Sequence, residues 1–243
     1  MGNIDTWGIQ KNMKKVAIVQ SNYIPWKGYF DMIAAVDEFI LYDDMQYTRR
    51  DWRNRNAIKT HQGVKWLTIP VMTKGKFSQT IREIQTMGKD WAGLHWKNIE
   101  SNYKKAAHYD AVATWLRPAY LELQLMELSE INRFFITEIC TYLKTKTSIK
   151  NSWDYQIHGD RSERLANLCH QAGGTCYVSG PAARDYLEIE AFAKKGIQVE
   201  WFNYKNYPIY PQLWGTFVHE VSIVDLLLNC GETSQQYMKK RSE

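Results

Sequence analysis

The sequence predicts an α/β fold: an open, mostly parallel sheet with flanking helices and a mainly helical middle segment. Three observations predict it. Two short apolar runs, Val16–Val19 and Phe39–Tyr42, are separated by a polar loop and by Phe30, Ile33, Ala34 and Val36 at helical spacing, which gives the order strand, loop, helix, strand. Helical spacing then dominates from Tyr103 to Tyr142, where Leu121, Leu125, Leu128, Ile131, Phe135 and Ile139 form an apolar stripe. A second helix–strand–loop unit spans 160–180, and Gly196–Phe202 alternates with Ile197, Val199 and Trp201 on one side.

Residues 1–14 read as a loose leader, without the apolar core of a signal peptide. Residues 15–231 are long enough for a single α/β domain, with the polar connector 145–152 as the internal boundary and 232–243 as a polar tail. No stretch approaches the roughly 20 apolar residues that span a bilayer, so the expected place is the cytoplasm and no membrane insertion is expected. The four cysteines, Cys140, Cys169, Cys176 and Cys230, form no C-x-x-C pair, and the six histidines do not cluster near them. They read as free core thiols rather than a zinc set. No cofactor is legible, and none is needed for the fold. A net charge of +5 permits attraction to phosphates without calling for nucleic acid.

Gln20 to Tyr23 end the first strand and Asp43 to Gln46 end the second. In open α/β sheets ligands sit beyond the carboxyl ends of the strands, so one pocket is expected to be lined by both. Plain turns are the competing reading, because Asp-Asp is ordinary turn material. Trp26 and Lys27 follow in the first loop. The next stretch is the most basic in the chain, with Arg49, Arg50, Arg53, Arg55, Lys59 and Lys65. A hairpin with strands near Asn56–Lys59 and Lys65–Ile69 puts Arg55 and Lys59 on one face, two strand periods apart. Two cations beside a mouth suit a diphosphate or carboxylate, and Tyr47 and Trp52 could stack on a ring. A solvated face uses the same residues. Lys74 and Lys76 sit in a loop that could close over an anion, and Ile81–Ile84 reads as a short strand. His95 lies on a predicted helix from Asp90, where a lone histidine is more often structural than catalytic. Pro118 reads as a helix restart.

In the second half Asp160 is a helix cap, followed by Arg164. Ser179-Gly180-Pro181 ends a strand, and small residues there let backbone amides approach a phosphate ahead of a helix. Tyr204, Tyr207, Tyr210, Gln212 and Trp214 crowd an irregular segment that is either a binding wall or a homodimer contact. Asp225 sits among Ile223, Val224, Leu226 and Leu227. A buried carboxylate needs a partner, and an arginine is the expected one.

Together Gln20, Tyr23, Pro25, Gly28, Asp43, Gln46, Arg55, Asn56, Trp66, Arg164, Ser179, Gly180, Tyr207, Gln212, Ser222 and Asp225 resemble the WbqC-like family of bacterial proteins. The match runs from about Lys15 to Gly231. The resemblance implies a place in surface polysaccharide and O-antigen biosynthesis, modifying a nucleotide-linked amino sugar by N-acyl or aminoacyl transfer. The first loop also faintly resembles nucleotidylyltransferases, which rely on two histidines there; this loop has none.

Three functions stay open at this point. In a transferase, Asp43 or His95 would be the base, and Asp225 a buried carboxylate of the site. Gln20, Tyr23, Gln46, Asn56, Arg164 and Gln212 would line the substrate. Arg55, Lys59 and the Ser179-Gly180 amides would hold a diphosphate or oxyanion, and Trp26, Tyr47 and Tyr207 the ring. In a nucleotidyl or phosphoryl transferase, Asp43 and Asp44 would bind magnesium, with Lys27 and Arg55 on the phosphates. In a non-catalytic assembly protein, the aromatic segment would be the partner surface.

Overall fold

The computed structural model describes residues 13–75 and 77–239. Most of the leader, Lys76 and the last four residues of the tail lie outside the described residues.

β1 (Lys15–Val19) is the central strand of a five-stranded parallel sheet. It pairs with β2 (Glu38–Leu41) on one side and with β6 (Cys176–Ser179) on the other. β5 (Ser148–Asn151) lies outside β2 and β7 (Gln198–Trp201) outside β6, giving the order β5-β2-β1-β6-β7. The two-residue period splits the strand side chains between two cores. Ala17, Phe39, Leu41 and Val178 face one core, together with Tyr29, Phe30 and Ile33 of helix α1 (Lys27–Ala34). Val16, Ile18, Ile40 and Tyr177 face the other, together with Ala166, Leu168 and Cys169 of α5 (Arg161–Gln171) and Phe192 of α6 (Ile189–Ala193). Burial on both faces is why these strands read as unbroken apolar runs.

The middle of the chain packs on the first of these cores. It holds the antiparallel hairpin of β3 (Arg55–Thr60) and β4 (Gly63–Thr68), then α2 (Asp90–Tyr103), α3 (Tyr109–Leu121) and α4 (Leu128–Tyr142). Pro118 lies inside α3 rather than restarting a helix. The interruption falls instead at 122–127. There Thr86 N–H donates to Met126 O and Leu128 N–H to Ile84 O, so the segment is held extended against 84–86. That pairing overrides the apolar stripe, leaving Leu121 exposed while Leu128, Ile131, Phe135 and Ile139 are buried. The strand expected at Ile81–Ile84 is a single 3₁₀ turn, Ile81–Glu83. Thr80 and Glu83 form a capping box there, with Thr80 N–H on Glu83 Oε2 at 2.8 Å.

The connector read at 145–152 carries the edge strand β5, aligned on β2 from Ser148 to Asn151. Its lone apolar residue, Ile149, gave too short a pattern to see. Asp160 caps α5 as expected, accepting from Ser162 N–H and Glu163 N–H. Gly180 leads into a five-residue 3₁₀ segment, Pro181–Asp185, whose first residue has no N–H. Beyond α7 (Ile223–Cys230), residues 231–237 form a 3₁₀ helix in which Ser234 is buried.

Candidate active site

β1 and β6 are neighbours whose chains leave in opposite directions, one toward β2 and the other toward β7. This is the topological switch point, where the loops part and leave a crevice at the carboxyl ends. A cavity of about 780 Å³ lies there. Gln20, Tyr42, Ser179 and Gly180 line it from the strand ends, and Arg53, Arg161 and Arg164 from the surrounding loop and α5. Among the described residues no carboxylate lines it. The Nε atoms of Arg53 and Arg164 are buried with no hydrogen-bond partner. Arg53 otherwise donates to Gln20 Oε1 and Asn22 Oδ1, with Asp51 at 3.7 Å. Arg164 donates to Gly159 O at 3.3 Å, and Arg161 stacks over Tyr186 at 5.7 Å. Three guanidinium groups, with no opposing charge on the lining among the described residues, suit a di-anionic group such as phosphate.

A second cavity, of about 570 Å³, opens on the other side of the same loop. Its walls are Trp26, Trp52, Tyr204 and Tyr207, with Glu220 and His219 also on its lining. Trp26 packs against Tyr207 and Tyr204 at ring-centroid distances of 5.2 and 5.6 Å. The backbone that carries Trp26 is strained. Ile24, a buried β-branched residue, has φ of +35°. Its carbonyl accepts from Asn56 Nδ2 at 3.0 Å and Ser222 Oγ at 2.7 Å. Asn56 lines the cavity, but its amide is spent on the Tyr23 and Ile24 carbonyls, so it positions the wall. Strain held in this way clusters at functional sites.

The structure thus gathers Gln20, Arg164, Ser179 and Gly180 at one cavity and Trp26, Asn56 and Tyr207 at the other. The remaining expected site residues face elsewhere. His95 is buried, with Nε2 on the Thr68 carbonyl at 3.2 Å. A carbonyl only accepts, so Nε2 carries the proton and Nδ1 accepts from Tyr23 OH at 2.9 Å. Tyr23 in turn pairs with Tyr120 at 2.8 Å. Burial pulls His95 down to about 4, and it lines neither cavity. Asp43 is fully buried, accepting from Ser21 N–H at 2.8 Å and from Ser129 Oγ. Asp44 turns away to Ser152 Oγ at 2.5 Å and Arg82 at 3.8 Å. The two carboxylates therefore diverge, as neighbours at a strand end do, and no group of three metal-ligating side chains is gathered among the described residues.

Asp225 is buried without an arginine. Tyr103 OH donates to Oδ2 at 2.6 Å, and Tyr210 OH and Gln212 Nε2 donate to Oδ1, each at 2.7 Å. Lys59, on the same hairpin face as Arg55, donates to Gln212 Oε1 and the Thr216 carbonyl. Arg55 lies over Trp66 at 4.4 Å and donates to the Arg50 carbonyl. Lys27 donates to the carbonyls of Pro208 and Tyr237 at 2.8 and 3.0 Å, and burial lowers it to about 8. Gln46 binds the Phe77 carbonyl, and Tyr47 packs in the core. Arg53, Arg161, His219 and Glu220 were not singled out by sequence reasoning. Arg53 was visible only as one of six cations in a basic run; Glu220 and His219 carry no motif.

Beneath the aromatic wall, Asp31 of α1 accepts from Lys239 N–H at 3.1 Å, and burial raises it from 3.8 to about 6. Between about pH 4 and 6 the folded protein then binds more protons than the unfolded chain. Stability contributed by Asp31 falls as pH rises through that window, by up to about 3 kcal/mol. His95 acts in the opposite sense between about 4 and 6.5, since there the unfolded chain binds more protons. Asp31→Asn removes the first contribution alone. Urea unfolding at pH 4 and pH 7 should show the variant gaining on the parent by up to about 3 kcal/mol as pH rises. An unchanged difference between the two proteins would contradict this account of Asp31.

The comparisons with known proteins cover nearly the whole described chain. The model of the WbqC-like protein family matches residues 20–237, reaching past Gly231 into the last 3₁₀ helix. An uncharacterized protein of Mycobacterium tuberculosis is 57% identical over 227 residues, covering 93% of this chain and 98% of the relative. No solved structure matches. Among the described residues no helix is long and apolar enough to cross a membrane.

Proposed function

This chain belongs to the WbqC-like protein family, and from that premise we propose that it is a biosynthetic enzyme acting on a nucleotide-activated amino sugar, by N-acyl or aminoacyl transfer in surface polysaccharide assembly. One observation carries the substrate class: three arginines and, among the described residues, no carboxylate line a cavity at the sheet's switch point. A sugar nucleotide presents a diphosphate to such a site, and fixed guanidinium groups hold it bidentately.

In the transfer, the sugar amine forms a bond to the acyl carbon, the bond from that carbon to the donor's leaving group breaks, and a proton leaves the nitrogen. Neither Asp43 nor His95 reaches a cavity to take it. His219 and Glu220 are the imidazole and carboxylate on the aromatic cavity's lining, and one of them is the base in this reading. Lys27, Arg55 and Lys59 are replaced as phosphate ligands by Arg53, Arg161 and Arg164.

A thermal-shift screen tests the reading. UDP-, dTDP- and GDP-linked amino sugars are run alone and with acyl-CoA, ATP, amino acids or magnesium. A ligand that binds the native state only raises its apparent stability. The expected result is a shift with one nucleotide sugar, larger with one donor. A shift with ATP and magnesium alone, or with none of these ligands, would overturn it.

A further inference from the structure

We infer that the basic and aromatic cavities are two halves of one site: the basic half takes the nucleoside diphosphate, the aromatic half takes the amino-sugar ring, and Arg53 stands at their junction. The inference rests on the function proposed above and deepens it.

Continuity comes first. Gln20 lines the basic cavity and Asn22 the aromatic one, and the single guanidinium of Arg53 holds both side chains. The opposing strand of chain divides in the same way, with Trp52 on the aromatic side and Arg53 on the basic side. Tyr23 N–H donates to Trp52 O at 3.0 Å and ties the two segments together. The Arg53 guanidinium, itself on the basic lining, is thus bonded to one lining residue of each cavity.

The chemistry of the two linings differs in the sense that such a molecule demands. Among the described residues the basic half carries three positive groups and no negative one. The aromatic half carries Glu220 and no arginine or lysine. A sugar ring offers C–H faces that pack on indole and phenol rings, together with hydroxyls that need polar partners. Asn206 and Glu220 on the lining are polar groups for them, whereas the Tyr207 hydroxyl is held by the Asp31 carboxylate. Glu220 supplies the counter-charge for a protonated amine. The strained Ile24 backbone and the Asn56 and Ser222 bonds that hold it set the Trp26 wall before any ligand arrives.

Calorimetric titration with UDP, UDP-glucose and UDP-glucosamine, and with the dTDP and GDP counterparts, separates the halves. Trp52 is 43% exposed, so Trp52→Ala should fold. The parent should bind the amino-sugar nucleotide about tenfold or more tighter than the free nucleoside diphosphate, a difference of about 1.4 kcal/mol. Trp52→Ala should lose that advantage while keeping nucleoside diphosphate affinity within about twofold, since it touches the ring half only. Glu220→Gln should lose the binding preference for the amine over the hydroxyl sugar while nucleoside diphosphate affinity stays within about twofold. An advantage unaltered by Trp52→Ala, or a parent that binds diphosphate and sugar nucleotide equally, would overturn the bipartite site while leaving the diphosphate reading standing. Failure of every nucleoside diphosphate to bind would overturn both.

Discussion

An Asp225→Ala protein should be about 3–5 kcal/mol less stable than the parent. Asp225 lies in the first turn of α7 with no exposed surface. Its two oxygens collect Tyr103 OH, Tyr210 OH and Gln212 Nε2 at 2.6–2.7 Å, and Tyr103 OH itself accepts from Lys59 N–H at 2.9 Å. The carboxylate therefore joins the hairpin, α2, the aromatic segment and α7. Burial raises its pKa, and the phenols and Gln212 pull it back. Truncation leaves two phenols buried without their acceptor, each costing about 1–3 kcal/mol, and opens a void, while Gln212 Nε2 keeps the Val218 carbonyl. For a chain of this size the melting temperature should fall by roughly 6–20 °C. Asp225→Asn keeps one acceptor oxygen and should lose less. A loss below about 1 kcal/mol for the alanine variant would mean that the network relaxes without it.

Arg164→Ala and Arg53→Ala should each weaken binding of inorganic pyrophosphate or a nucleoside diphosphate by about 10- to 150-fold, the range for one charge-assisted hydrogen-bonding group. Arg164→Lys should recover only part of this, because an ammonium cannot make the paired contact of a guanidinium. Arg53→Ala also frees Gln20 and Asn22, so its effect should extend to the sugar ring. Arg49→Ala and Arg55→Ala are the controls. Both lie on the basic stretch, yet Arg49 stacks over Phe77 and Arg55 over Trp66, and each should change pyrophosphate affinity by less than about twofold. If the hairpin variants lose binding and Arg164→Ala does not, the anion sits on the hairpin face.

Periodicity made the sheet legible. Strands buried on both faces give unbroken apolar runs, and α5 announced itself through Asp160 and the spacing of Leu165, Leu168 and Cys169. Gln20, Ser179 and Gly180, which line the switch-point cavity, were legible as candidates for a related reason: the ends of parallel strands are where ligands go, and strand ends can be found from sequence. Side-chain partners were not readable in this way. His95 meets Tyr23 across 72 positions, and Asp225 meets Tyr103 across 122. Nothing local distinguishes those pairs from others. Lys27 and Lys59 looked like free cations because lysine is usually solvated, yet the fold points both at backbone carbonyls. Arg53 was hidden for the opposite reason, as one cation in a run of six whose directions only the loop geometry separates. Asp225 was correctly marked as a buried carboxylate in need of a partner, but two phenols took the place expected for an arginine.

A crystal structure of the protein with the tightest-binding nucleoside diphosphate tests the central claim most directly. The diphosphate oxygens should lie within hydrogen-bonding reach of the Arg53 and Arg164 guanidinium groups, at the carboxyl ends of β1 and β6. A diphosphate seated instead among Trp26, Trp52 and Tyr207, or along the Arg49–Arg55 stretch, would contradict it.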